Sequence, residues 1–248
     1  MLTKPVPPNH LIKLVGSDGG DEYAKIGEHC LDLLVKYGGL KPEHHVLDVG
    51  CGCGRTAIPL TNYLTSGSYE GFDIVRESIT WCAQNITPHW PGFKFQHANV
   101  FNKFYNPGAA IKAKDYRFPY SDNSFNLTFL TSVFTHMLPD DVAHYTREIT
   151  RTLKPGGAAV ITFFIINDES RYRQLTAEST LRFPHIYAND TFITNSARPE
   201  LAVAYREDSA LRVLKDNGLQ LREPIHFGNW CGRKNGVTYQ DLIVCDKP

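Results

Sequence analysis

The stretch Val46-Leu-Asp-Val-Gly-Cys-Gly-Cys-Gly-Arg55 decides the fold. His45 to Val49 reads as a short buried strand, and glycines 50, 52 and 54 follow it at once. Glycines at that spacing let the backbone turn tightly and let a ligand approach the main chain closely. A helical segment then runs to about Leu64. Pro59 inside it removes one backbone donor, which predicts a kink or a distorted first turn.

Working outward, strand and helix alternate. Tyr69 to Phe72 is a strand ending at Asp73, Glu77 to Ile86 a helix, and Lys94 to His97 a strand ending near Asn99. Phe101 to Arg117 is irregular. Phe125 to Val133 is a strand, Asp140 to Leu153 a helix, Lys154-Pro-Gly-Gly157 a tight turn and Ala158 to Ile166 a nearly all-apolar central strand. Upstream, a Pro-rich tail over residues 1–10 and a Gly16–Asp21 loop precede a helix from Glu22 to Tyr37. Its apolar positions Ala24, Ile26, Cys30, Leu33 and Leu34 recur at helical spacing, and Gly38-Gly39 ends it. Downstream, residues 167–208 carry many aromatics without periodicity, and so long a stretch inside a domain points to function. Ser209 to Asn217 is a helix closed by Gly218, and strands 224–230 and 239–245 flank a hairpin-like turn at 232–236. The pattern predicts an α/β protein with a Rossmann-like, doubly wound seven-stranded mixed sheet whose last strand is antiparallel. It is expected as one domain: an N-terminal helical cap (1–45), a ligand-binding core (46–166), an insertion after the fifth strand (167–208), and a closing helix and hairpin (209–248).

Composition narrows the class. Lys plus Arg and Asp plus Glu number 26 each in 248 residues, so no net basic charge invites nucleic acid, and no nucleic-acid partner is expected. No run approaches a membrane span and no signal peptide is read at the N-terminus. Six cysteines without such a signal imply reduced thiols and a cytoplasmic setting. Their spacing does not make zinc knuckles, and Cys51 and Cys53 read as small turn residues.

The glycine turn admits two readings. A dinucleotide site wants a glycine at the sixth position, which is Arg55 here. Asp48 would repel a pyrophosphate and would suit a ligand bearing an ammonium and a sulfonium. Both features favour S-adenosylmethionine over NAD. The segment resembles motif I of the class I S-adenosylmethionine-dependent methyltransferases. Tyr69-Glu-Gly-Phe-Asp-Ile74, Gln96-His-Ala-Asn-Val100, Phe118–Asn126 and Arg151–Gly157 resemble later segments of that family in the expected order. The resemblance spans residues 46–166. It implies cofactor contacts from Asp48, Gly50, Cys51, Gly52, Asp73, Ile74, Asn99, Val100 and Ser132. Asp73 would accept from both ribose hydroxyls. Asn99, where many relatives carry Asp, would accept from the adenine amino group.

The segment after the fourth strand, Thr131-Ser-Val-Phe-Thr-His-Met137, lacks the Asn/Asp-Pro-Pro-Tyr run of amino-methylating DNA enzymes and the Pro-Cys nucleophile of cytosine C5 enzymes. It also lacks the acidic pattern of metal-dependent catechol-type enzymes. Asp140-Asp141 reads as helix N-terminal charge rather than as metal ligands, and no metal is expected. His136 is the candidate general base, since imidazole abstracts protons near neutral pH; it could instead cap or pack the loop. Trp230 and Tyr239 are the candidate acceptor contacts, with Trp230 either stacking on an acceptor ring or anchoring the hairpin. The expected activity is metal-free methyl transfer to a hydroxyl of a small molecule or glycan. The alternatives are N-methylation of a small amine or peptide and a catalytically inactive cofactor-binding module. The sequence does not indicate an oligomeric state.

Overall fold

The computed structural model describes residues 4–176 and 178–248. Residues 1–3 of the expected tail and Ala177 of the insertion lie outside the described residues. The chain forms two compact units: residues up to Tyr116 with Ser124–Phe129, and Arg117–Asn123 with Leu130–Pro248. The expected core 46–166 is therefore shared between them.

In the first unit a short helix α1 (Asn9–Leu14) leads into α2 (Gly20–Lys36). Tyr23, Gly27, Cys30, Leu33 and Leu34 form the buried stripe of α2, the spacing of an amphipathic helix. Gly27 is required by packing, because a side-chain carbon there would meet the carbonyl oxygen of Arg55. β1 (His45–Val49) is buried at every residue after His45, as befits a strand covered on both faces. α3 (Ala57–Tyr63) starts two residues ahead of Pro59. Pro59 thus sits in the first turn, where proline is tolerated. β2 (Ser68–Asp73), α4 (Arg76–Asn85) and β3 (Phe93–His97) follow. β1 pairs in parallel with β2 and with β4 (Phe125–Leu130), and β2 in parallel with β3.

In the second unit α5 (Pro139–Thr152) has proline at its start and Asp140 and Asp141 in its first turn. Acids there complement the helix dipole. β5 (Leu153–Phe163) is a long strand, and β6 (Ile165–Ile166) leaves it for a second sheet. α6 (Asp168–Leu175), β7 (His185–Ala188), β8 (Thr191–Ile193), β9 (Val203–Arg206) and α7 (Glu207–Asp216) follow. β10 (Gln220–Leu221) and β11 (Asp241–Asp246) complete the chain. The main sheet runs β10-β11-β5-β4-β1-β2-β3, with β11 antiparallel to β5 and β10 antiparallel to β11. This is the expected Rossmann-like seven-stranded mixed sheet. No helix among the described residues is long and apolar enough to cross a membrane.

Four expectations change. The fourth strand ends at Leu130 rather than Val133, because Ser132 takes φ of 61° and a 3₁₀ turn follows at Phe134–His136. Lys154–Gly157 belong to β5: Gly156 N–H donates to the Lys247 carbonyl, and Lys247 N–H to that of Gly157. Residues 224–230 are not a strand; only His226 bridges to Leu242, and β11 takes its edge partner from β10. The aperiodic insertion contains α6, capped by a reciprocal Asn167–Ser170 box, and strands β7, β8 and β9, which join β6 in a four-stranded sheet, β6-β9-β8-β7. Its strands have two to four residues, too short for an alternation to show.

Candidate cofactor site and candidate base

The glycine loop turns at the end of β1 with positive φ at Gly50, Gly52 and Gly54. The amides of Gly50 and Cys51 both donate to the Phe72 carbonyl, at 2.9 and 3.1 Å, so the loop is fastened to the end of β2. There Asp73 closes the arrangement. Its Oδ2 accepts from Gly52 N–H and its Oδ1 from Val75 N–H, each at 2.8 Å. Burial raises the Asp73 pKa, and the amides of Val75, Gly52 and Ile74 oppose the rise. Each carboxylate oxygen keeps a lone pair beyond the bond it accepts, which is what a vicinal diol needs. This pair of acceptors therefore fits a ribose.

Asp48 is 2% exposed and lies beneath the loop rather than facing an open cleft. Tyr69 donates its phenol to Asp48 Oδ2 at 2.6 Å. The route is opened by Gly71, which pairs with Asp48 across β1 and β2; a side-chain carbon there would meet the Tyr69 hydroxyl and Cys51. Burial pushes the Asp48 carboxyl up to about 7, against the pull of the Tyr69 bond. The sequence reading missed Tyr69. The signal available was strand alternation, which puts residues 69 and 71 on one face.

The N-terminal segment packs against the loop. Leu11 and Ile12 are buried, and a carbon on Gly52 would lie 2.5 Å from Val15 Cγ1. Arg55 Nη1 donates to the Val15 carbonyl at 2.5 Å and reaches the Ser17 hydroxyl at 3.4 Å. Tyr23 donates to the Cys53 carbonyl at 2.8 Å. Cys51 and Cys53 are buried free thiols, as small turn residues would be, and burial pushes Cys53 up to about 11. Protonated thiols of this kind are poor nucleophiles. At the end of β3 the Ala98 amide bonds the Asp73 carbonyl at 2.9 Å. Asn106 donates to Asn99 Oδ1 at 3.3 Å and to the Val100 carbonyl at 3.1 Å. The first unit thus brings Asp48, Gly50, Cys51, Gly52, Asp73, Ile74, Asn99 and Val100 into one region.

The other candidates belong to the second unit. Ser132 holds its positive φ through two bonds: its amide donates to Thr162 Oγ1 at 2.8 Å, and its hydroxyl accepts from Gln240 Nε2 at 2.7 Å. A non-glycine residue in that region stores strain of the kind found at functional sites. Tyr239, beside Gln240, is half exposed, with its ring 6.2 Å from that of Phe164. Trp230 is corrected. It is 0% exposed, lies edge-on to Phe164 and Phe183 at 5.4 and 5.5 Å, and donates Nε1–H to Asp241 at 2.7 Å. An indole enclosed in that cluster offers no face to an acceptor; Trp230 anchors the closing segment. Its partner Asp241 also accepts from the amides of Ile165 and Gly228. His136 Nδ1 lies 3.0 Å from the Glu200 carbonyl. A carbonyl only accepts, so Nδ1 carries the proton and Nε2 the lone pair. Burial lowers the His136 pKa, outweighing the Glu200 and Leu201 carbonyls. Glu200 lies in the insertion, far from His136 in sequence, and no motif marks it.

Residues 47–161 match the family model described as a methyltransferase domain. The chain is 24% identical to an uncharacterized methyltransferase of Schizosaccharomyces pombe over 70% of its own length and 54% of that protein. The chain spans about half the length of the curated relatives it matches. Its fold is similar to that of a Pyrococcus horikoshii protein of known crystal structure, with a TM-score of 0.62 at 18% identity, covering 94% of this chain and 93% of that one. It is also similar to the Burkholderia thailandensis 1,6-didemethyltoxoflavin N1-methyltransferase, solved with S-adenosylhomocysteine bound. That TM-score is 0.58 at 15% identity, with 99% of this chain and 93% of that one covered. The glycine loop tied to Asp73, the strand order and these likenesses agree with a class I S-adenosylmethionine-dependent methyltransferase domain, the family model matching residues 47–161.

Proposed function

We propose that this protein methylates a hydroxyl of a small molecule or glycan without a metal, with His136 as general base. The observation that carries the reading is the His136 imidazole, held by the Glu200 carbonyl at 3.0 Å and kept neutral by burial. When bound, S-adenosylmethionine supplies a methyl carbon already activated by its sulfonium. Asp73 would hold the ribose hydroxyls, and Asn99 and Val100 the adenine. Gly50, Cys51, Gly52 and Ile74 would supply the close backbone approach, and Asp48 a carboxyl beneath the loop that burial holds partly protonated near neutrality. Ser132 and Tyr239 would orient the reacting groups. His136 Nε2 would take the hydroxyl proton as the acceptor oxygen bonds the methyl carbon and that carbon's bond to sulfur breaks, the cofactor leaving as its demethylated thioether; without the base a neutral hydroxyl is a poor nucleophile. The insertion 167–208, which supplies Glu200, is the acceptor-side element in this reading, and six buried free thiols suit a cytoplasmic setting.

The test is a panel of hydroxyl and amine acceptors with labelled cofactor, read by mass spectrometry, followed by His136→Ala. With a hydroxyl acceptor the variant should lose about 10²–10⁴ in kcat and keep its affinity for S-adenosylhomocysteine. The wild-type rate should fall as pH drops through an imidazole value below 6.5. Near-normal turnover in His136→Ala, or methylation of amines alone, defeats the proposal.

A further inference from the structure

The loop after β3 is ordered, apolar at its surface and basic. Phe101 N–H donates to the Ile111 carbonyl at 2.7 Å, which closes its neck. Asn102 and Asn106 exchange backbone bonds at 3.3 and 3.0 Å, leaving Lys103-Phe104-Tyr105 as the tip. Asn102 Oδ1 accepts from the amides of Phe104 and Tyr105 at 2.9 and 3.1 Å, so the tip is pre-shaped by its own polar groups. That leaves the apolar side chains in water: Phe101, Phe104, Tyr105 and Ile111 are 41, 42, 44 and 44% exposed. Single exposed apolar residues are ordinary, but four large ones on one small loop are an unusual concentration of apolar surface. Residues 101–114 also hold Lys103, Lys112 and Lys114, all exposed, and no Asp or Glu. The chain as a whole holds equal numbers of basic and acidic residues, so this cation excess is local.

We infer that this loop docks the protein on an anionic phospholipid surface. Aromatic rings settle at the headgroup level, where one part of the ring is dry and its edge wet. Lysine stems lie along apolar surface while their ammonium groups reach anionic headgroups. A nucleic acid would use the lysines and could stack on the rings, but it offers nothing to Ile111, Ala110 and Pro107. A bilayer takes all of these together. The inference does not depend on methyl transfer or on the acceptor.

The test uses the full chain and vesicles of phosphatidylcholine, with and without phosphatidylserine, read by co-sedimentation. Binding should appear with phosphatidylserine, weaken with added salt and be much poorer on phosphatidylcholine alone. Lys103→Gln, Lys112→Gln and Lys114→Gln should each weaken binding about fivefold. Phe104→Ser with Tyr105→Ser should weaken it at least about tenfold. A control carrying Lys25→Gln, Lys41→Gln and Lys215→Gln, exposed lysines elsewhere, should bind as wild type. Thermal stabilisation by S-adenosylhomocysteine, retained in every variant, shows that the fold is intact. Binding that ignores phosphatidylserine, or loop and control variants that behave alike, overturns the inference. So does loss in the loop variants of binding to an RNA oligonucleotide while vesicle binding stays unchanged.

Discussion

Replacing Asp48 by asparagine should change how stability depends on pH by a calculable amount. Asp48 is buried under the glycine loop and its carboxyl titrates near 7 instead of 3.8. A carboxyl raised in the folded state binds its proton more tightly there than in the unfolded chain. Folding is therefore best supported below 3.8, and that support is lost as pH rises toward about 7. At about 1.36 kcal/mol for each pH unit of that interval, the full loss is about 4 kcal/mol above neutrality and about 2 kcal/mol at pH 5. Asparagine has nearly the same shape, can still accept from Tyr69, and never ionises. Whatever constant packing cost it brings cancels when two pH values are compared. The stability of Asp48→Asn relative to wild type should thus rise by about 2–3 kcal/mol between about pH 5 and about pH 8. Urea unfolding at both values, followed by tryptophan fluorescence, measures it. Parallel pH profiles for the two proteins would refute the reasoning, since they would mean that Asp48 ionises in the folded state as it does in water.

Asp73→Ala removes the acceptor for the Gly52 and Val75 amides as well as for the ribose. Calorimetry should show S-adenosylhomocysteine binding weakened by about a hundredfold or more, with NAD unbound in either protein; a change of only a few-fold would remove Asp73 from the ribose. Trp230→Phe keeps an aromatic body but withdraws one donor from the buried Asp241 carboxylate. It should cost about 1–3 kcal/mol in denaturant unfolding and leave the acceptor KM unchanged, whereas a raised KM at unchanged stability would restore a direct role for the indole.

The fold was legible because its signals are local. A buried strand, three spaced glycines and a helix lie within twenty residues, and Asp73 ends the next strand. Backbone geometry alone carries that pattern into a turn whose amides bond Phe72 and Asp73. The closing segment was less legible. Residues 224–230 look like a strand, yet β11 takes its edge partner from Gln220–Leu221. Strand pairing is a contest between segments, and a sequence pattern does not record the loser.

By itself, then, the sequence determined the α/β alternation, the cofactor class and the residues at the ends of β1 and β2. What those residues face was decided by tertiary structure. Asp48 meets Tyr69 only because parallel register sets Gly71 opposite it and leaves room for a phenol. His136 has a defined tautomer only because the insertion folds Glu200 against it. Trp230 is enclosed only because Phe164 and Phe183 converge on it from separate stretches of the chain. Burial and hydrogen-bond partnership are set by residues distant along the chain, and they fix the charge of a carboxyl, the lone pair of an imidazole and the accessibility of a ring.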